Sequence, residues 1–116
     1  MTLLHSSSQA GLPALVRRPA YDRSALRPGI VHLGLGAFHR AHQALYTEAV
    51  LDTGDLRWGT VGVHLRGRRL ADALQAQDHL YTVTEQHGEA CATQLVGGVQ
   101  AALFAPAALG RVRRFT

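Results

Sequence analysis

Gly29-Ile30-Val31-His32-Leu33-Gly34-Leu35-Gly36-Ala37-Phe38-His39-Arg40 decides how this chain folds, because the pattern changes period midway through it. Up to Gly34 it is a short β-branched and apolar run closed by glycine at both ends, which suits a strand buried on both faces. From Ala37 to Asp52 there is no glycine or proline, and Ala41, Ala44, Leu45, Ala49 and Val50 recur near helical spacing until Gly54 stops the run. Trp58 to Leu65 returns to the strand pattern, with Thr60, Val61 and Val63 favouring a pleated surface. The spacing predicts a strand, a helix and a second strand.

Further along, Arg68 to Gln77 reads as a short helix with Leu70, Ala73 and Leu74 on one side. Leu80 to Glu85 and Ala90 to Val96 read as a β-hairpin turning at Gln86-His87-Gly88-Glu89. After Val99 the chain becomes Ala-rich and passes Pro106, with no element assigned. Pro13, Pro19, Pro28 and the run Ser6-Ser7-Ser8 make residues 1–28 an extended arm. Residues 29–106 form the folded unit, and residues 107–116 are an Arg-rich tail that nothing caps and that reads as a truncated end.

The glycines between the first strand and the helix carry a chemical meaning. A phosphate-binding turn needs glycine where the chain bends sharply and again where backbone approaches a pyrophosphate, whose charge then meets the free N–H groups of the helix start. Gly34 and Gly36 fill those positions, while His39 stands where a third glycine would allow close helix packing. The same two glycines also suit a plain structural turn. Arg40 lies in the first helical turn, where a cation opposes the helix dipole, so it is expected to face an anion. The fold class that follows is α/β, built as strand, helix and strand, then a short helix and a hairpin, which with a phosphate-binding turn is a partial Rossmann-type dinucleotide-binding domain.

Composition narrows the chemistry. The chain has 116 residues, 47% hydrophobic and 17% charged, which allows one core and argues against disorder. All 12 basic residues are Arg, so no lysine nucleophile, Schiff base or P-loop lysine exists in this sequence. The net charge of +4 is concentrated at the ends, in Arg17, Arg18, Arg23 and Arg27 and in Arg111, Arg113 and Arg114, whereas acidic residues outnumber basic ones between them. No recognition helix or stacking aromatics accompany that charge, so nucleic acid is not expected as a partner. No apolar run reaches the ~18 to 20 residues needed to span a bilayer, and no secretory signal is readable, so no membrane partner is expected. Cys91 is the one cysteine, which suits a reducing, cytoplasmic setting. His39 and His42 have a permissible metal spacing but no further ligands, and no metal site is expected.

The block Phe38-His39-Arg40-Ala41-His42-Gln43 after Gly34-x-Gly36 resembles the amino-terminal part of the polyol-specific long-chain dehydrogenases, the family of mannitol 2-dehydrogenase and fructuronate (mannonate) reductase. The likeness continues through Trp58-Gly59, Val61-Gly62-Val63-x-Leu65-Arg66 and Asp72-Ala73-Leu74-x-x-Gln77-Asp78-x-Leu80-Tyr81-Thr82. Arg18-Pro19-x-Tyr21-Asp22 fits as well, so it reaches from Leu12 to Pro106. In that family a histidine at the third glycine position is normal. The resemblance implies a nicotinamide-dependent oxidoreductase of sugar alcohols or sugar acids, with Gly34, Gly36, Phe38, His39 and Arg40 at the cofactor and Arg66 as a weaker addition. It also implies a helical carboxy-terminal catalytic domain, absent here, that supplies the lysine and contacts the polyol or hexonate.

No catalytic residue is therefore assigned to this chain, which is expected to be inactive alone. The alternative is a non-catalytic nucleotide-binding or interaction module. NAD is the cofactor the resemblance implies, and NADP is possible because the second predicted strand runs into Arg66-Gly67-Arg68-Arg69 with no carboxylate before Asp72.

Overall fold

The computed structural model of the chain describes residues 16–104. The expectations for residues 1–15 and 105–116, most of the arm and the Arg-rich tail among them, lie outside the described residues. In chain order the strands are β1 (Pro28–Leu33), β2 (Gly59–His64), β3 (Tyr81–His87), β4 (Ala90–Val96) and β5 (Val99–Phe104), and the helices are α1 (Ala44–Leu51) and α2 (Arg69–Ala76). β1, β2 and β5 form a parallel sheet with β2 in the middle, while β3 and β4 pair antiparallel as a separate hairpin. This order matches the first half of a doubly wound sheet, in which each later strand is added outward on one side of the first. The expected α/β, Rossmann-type class is the observed one.

Small residues in the sheet let the helices come close. Gly62 and Ala102 face each other across β2 and β5, and Leu35, Ala71 and Leu74 are buried in the same apolar cluster as Ala102. A Cβ on Gly62 would run into the Leu35 side chain, so this glycine is where the turn after β1 seats on the sheet. Val61, Ala101 and Leu103 form a second cluster, and Val61 and Leu103 are nearly inaccessible. The two clusters follow from strand alternation, which sends successive side chains to opposite faces.

Four features depart from the sequence reading. The first is β5. Val99-Gln100-Ala101-Ala102-Leu103-Phe104 is a strand, although alanine disfavours strands on average, because both alanines are buried by tertiary packing, Ala102 with Ala71 and Leu74 of α2 and Ala101 with Val61 of β2. The second is β1, expected to be buried on both faces. Val31 is 37% and Leu33 67% exposed, because β1 is the sheet's outer strand and no described strand pairs with its far edge.

The third departure lies in the helix expected from Ala37 to Asp52. It begins at Ala37, but His39–Gln43 widens into a π-turn before α1 proper. It ends near Asp52, with Gly54 at φ +97°, as glycine after a helix allows. The fourth concerns residues 16–27 of the arm. Arg17 bridges to Gln94 of β4 by two backbone hydrogen bonds, N to the Thr93 carbonyl at 2.9 Å and carbonyl from Leu95 N at 2.7 Å. Asp22 caps a short turn over Arg23–Ala25, and Leu26 is buried.

One charged group is buried where these pieces meet. Glu48 of α1 is 1% exposed, and its Oε1 accepts from Gly97 N at 3.0 Å and Gly98 N at 2.6 Å. The Tyr21 hydroxyl donates to the same carboxylate at 2.8 and 2.9 Å. Arm, helix and the link from β4 to β5 are joined there. Among the described residues no helix is long and apolar enough to cross a membrane.

Candidate functional site

Gly34 closes β1 and donates its N–H to the Val63 carbonyl at 2.7 Å, so the chain leaves the sheet level with the end of β2. Its φ of +77° is left-handed, which is why glycine stands there. Leu35 then drops fully buried onto Gly62 and pins the turn. Gly36 differs from both. Its φ is not positive and a Cβ built on it would meet nothing within 4 Å, so neither backbone strain nor packing inside the protein demands glycine. It borders open space in front of a helix that starts at Ala37, whose first N–H groups have no acceptor within the helix.

The side chains of the block Phe38 to Gln43 divide between support and surface. His39 is 4% exposed and its ring lies 4.0 Å from that of His32, whose Nδ1 in turn meets the Gly34 carbonyl. The π-turn begins at this histidine, where a third glycine would otherwise permit tight packing, and its wider turn gives a bulky ring a place beneath the helix. Burial, followed by the neighbouring His32, holds the His39 pKa below the usual histidine range. His42 turns away to meet the Phe38 ring at 4.9 Å, and Phe38 is 75% exposed at the mouth of the turn. His39 and His42 thus point to different neighbours.

Arg40, expected to face an anion, has a local partner as well. Its Nε donates to the Leu35 carbonyl at 2.9 Å, and its own carbonyl accepts from the Tyr81 hydroxyl at 3.1 Å. The guanidinium therefore braces the glycine turn with one nitrogen and keeps its terminal nitrogens for another acceptor. Its charge also reaches His64 at the end of β2, where burial first and Arg40 second lower the imidazole pKa. His64 Nε2 is buried without a hydrogen-bond partner among the described residues. Leu65, Arg66, Gly67, Arg68 and Arg69 follow as exposed residues beyond the strand end.

Of the residues singled out in the sequence, Gly34, Gly36, Phe38, His39 and Arg40 are gathered on one turn by β1 and the helix start, and Arg66 stands apart, beyond the neighbouring strand. The sequence reading missed His32, which supports His39, and Tyr81, which anchors the Arg40 backbone. Only tertiary packing against the helix start brings them near, so no local signal marks them. A cavity of about 290 Å³ lined by Arg23, Leu26, His79 and Gln100 opens by the start of β5, away from the glycine turn.

The arrangement has counterparts in known proteins. Residues 28–111 match the family described as the mannitol dehydrogenase Rossmann domain. D-mannonate oxidoreductase of Escherichia coli (strain K12) is 46% identical over 91 residues, covering 76% of this chain and 19% of that protein. The substrate-free crystal structure of D-sorbitol dehydrogenase superposes with a TM-score of 0.90 at 35% identity, covering 98% of this chain and 24% of the other. The Pseudomonas fluorescens mannitol 2-dehydrogenase ternary complex with NAD and D-mannitol gives 0.89 at 36% identity, covering 96% and 23%. The chain thus spans about a fifth to a quarter of the length of these relatives. With the glycine turn, the parallel sheet and these matches in agreement, the chain belongs to the mannitol dehydrogenase Rossmann-domain family.

Proposed function

We propose that this chain is the cofactor-binding part of an oxidoreductase that moves hydride between a nicotinamide dinucleotide and a sugar alcohol or sugar acid of the mannitol/fructose or mannonate/fructuronate type. The observation that carries the reading is Gly36, a glycine that the protein's own packing does not require, beside a helix start that offers free N–H groups. The relative whose structure holds NAD and D-mannitol supports both the cofactor class and the substrate class. The residues fit the group. Gly34 and Gly36 would leave room for the pyrophosphate, the N–H groups after them would meet its charge, and the Arg40 terminal nitrogens would neutralise it.

When bound, the nicotinamide supplies or accepts the hydride. The chain's own residues bind and orient it: Leu35 and Gly62 fix the turn, and buried His39, with the His32 ring against it, holds the helix start. No lysine is present to exchange the hydroxyl proton of an alcohol, so the chain alone binds cofactor without turnover. Residues 29–106 are the cofactor domain in this reading, residues 1–28 an arm and residues 107–116 a tail, and the protein works in the cytoplasm.

Calorimetric titration of the chain with nicotinamide dinucleotides, parent against Gly36→Val, tests the proposal. The variant is expected to keep its stability, since its Cβ points into open space, and to lose binding. Equal affinity in parent and variant would reduce the turn to a structural one.

A further inference from the structure

We propose that His32 and His39 are a proton-sensitive pair beneath the glycine turn, holding it in shape for a dinucleotide while His39 is neutral and releasing it when His39 takes up a proton. The inference rests on the dinucleotide reading of that turn and adds its regulation by pH. Both histidines are positioning residues, since each acts through the backbone of the turn.

Side chains set the direction of the turn's peptide groups. His32 Nδ1 is hydrogen-bonded to the Gly34 carbonyl, and because a carbonyl only accepts, that nitrogen carries a proton. Arg40 Nε donates to the next carbonyl, that of Leu35, at 2.9 Å. In a planar trans peptide the N–H points opposite to its carbonyl, so these two bonds direct the Leu35 and Gly36 N–H groups. Gly34, at φ +77°, is thus gripped on both sides, its N–H by β2 and its carbonyl by His32.

His39 has no place for an added proton. It is 4% exposed, and its ring lies 4.0 Å from that of His32. Its Nδ1 is 3.4 Å from Gln43 Oε1, and its Nε2 is buried with no hydrogen-bond partner among the described residues. A charged imidazole donates from both nitrogens, and a buried cationic donor with nothing to accept from it is costly. The surroundings supply no counter-charge. β1 presents His32, and the helix start itself carries Arg40, whose charge reaches His64 of β2 and whose carbonyl takes the Tyr81 hydroxyl of β3. His42 turns to Phe38 instead. Neither ring of the pair has a carboxylate partner among the described residues. Burial first and His32 second accordingly weaken the hold of His39 on a proton.

A proton on His39 is accommodated by withdrawal of the ring, which unseats the π-turn that begins there and removes the face on which His32 rests. The Gly34–Leu35 peptide then turns freely, and its N–H is lost to the ligand. Dinucleotide binding selects the neutral form, so affinity is constant well above the His39 pKa and falls as pH drops through it, by at most about tenfold per pH unit. A cation merely lying near a pyrophosphate gives the opposite slope.

The experiment titrates the whole chain calorimetrically with NAD from pH ~7.5 to ~5, in the parent and in His39→Phe, His32→Phe and His32→Asn, with circular dichroism at each pH. Parent affinity is expected to fall about threefold or more across that range, and in His39→Phe most of the fall disappears. His32→Phe weakens binding at every pH, and His32→Asn, which keeps an N–H for the Gly34 carbonyl, restores it at the upper end. Affinity that is flat or rises in acid, or a fall that survives in His39→Phe, overturns this inference and leaves the dinucleotide reading standing. Loss of the native circular dichroism together with the loss of affinity overturns it too. If His39→Phe does not fold, proton NMR of the parent decides: the His39 ring must titrate at the midpoint of the affinity change, and separate midpoints refute the pairing. A parent that binds no NAD at any of these pH values refutes both readings.

Discussion

Replacing Glu48 should loosen three parts of the molecule at once. Its carboxylate is buried and takes hydrogen bonds from Gly97 N, Gly98 N and the Tyr21 hydroxyl. Glu48→Ala leaves those donors in a dry pocket, at about 1–3 kcal/mol for each donor stranded without a partner. Since neighbouring losses overlap, about 4 kcal/mol is the expected total, a large part of the stability of a small domain. Tyr21→Phe removes a single donor and should cost about 1 kcal/mol, which supplies a graded variant that still folds. Urea unfolding of the chain measures both. A Glu48→Ala variant within about 0.5 kcal/mol of the parent would refute the reasoning, because that is the range of an unremarkable surface change.

The same residue sets a pH dependence. Burial, the largest influence, raises the Glu48 pKa above the usual glutamate range despite the hydrogen bonds that lower it. The folded state therefore holds its proton to higher pH than the unfolded chain does. This contribution to stability is full below the ordinary glutamate pKa and is lost as pH rises through the raised value. Glu48→Gln should abolish that slope.

Gly34→Ala should destabilise by about 1–2 kcal/mol through its left-handed backbone, whereas Gly36→Ala should leave thermal stability unchanged and weaken dinucleotide binding; melting and titration of the pair separate the two roles. Gly62→Ala should cost about 1–3 kcal/mol in urea unfolding, because the new methyl group overlaps Leu35. His39 has a lowered pKa from burial, so the unfolded chain binds the proton more readily; this stabilisation is present above the ordinary histidine pKa and is lost as pH falls through the lowered one. Unfolding at pH ~7.5 and ~5.5 should show a smaller acid loss in His39→Phe than in the parent, and an equal loss would exclude His39 as the source.

What was legible in the sequence was whatever local pattern controls. β1, β2, α2 and the hairpin follow from runs bounded by glycine or by a change of period, and the glycine turn from its place between a strand and a helix. β5 escaped notice because its alanines answer to tertiary packing, Ala102 with α2 and Ala101 with Val61 of β2, a fact that no local window contains. The π-turn was hidden for a similar reason: it begins at His39, whose buried ring lies against that of His32, seven residues earlier in the preceding strand. Nothing in the local sequence singles out Glu48 on α1. Its partners are 27, 49 and 50 residues away, and only the tertiary fold reveals that Gly97 and Gly98 supply N–H groups rather than a flexible link.

The outer edge of β1 bears on how this polypeptide behaves in a crowded solution. Strands that end a sheet are usually guarded by lysine, by other charges or by a bulge, which discourage a foreign strand from adding on. Pro28-Gly29-Ile30-Val31-His32-Leu33 has no formally charged side chain, and its single proline is at the first position. Beside it, Ile30, Tyr46, Val50 and Trp58 line an apolar cleft of about 220 Å³. The strand has the composition of an interior strand in an edge position, so it is open to a β-strand from another segment or another molecule. With no described strand on that edge, its backbone is a template for aggregation, and adventitious pairing gains on native folding as concentration rises.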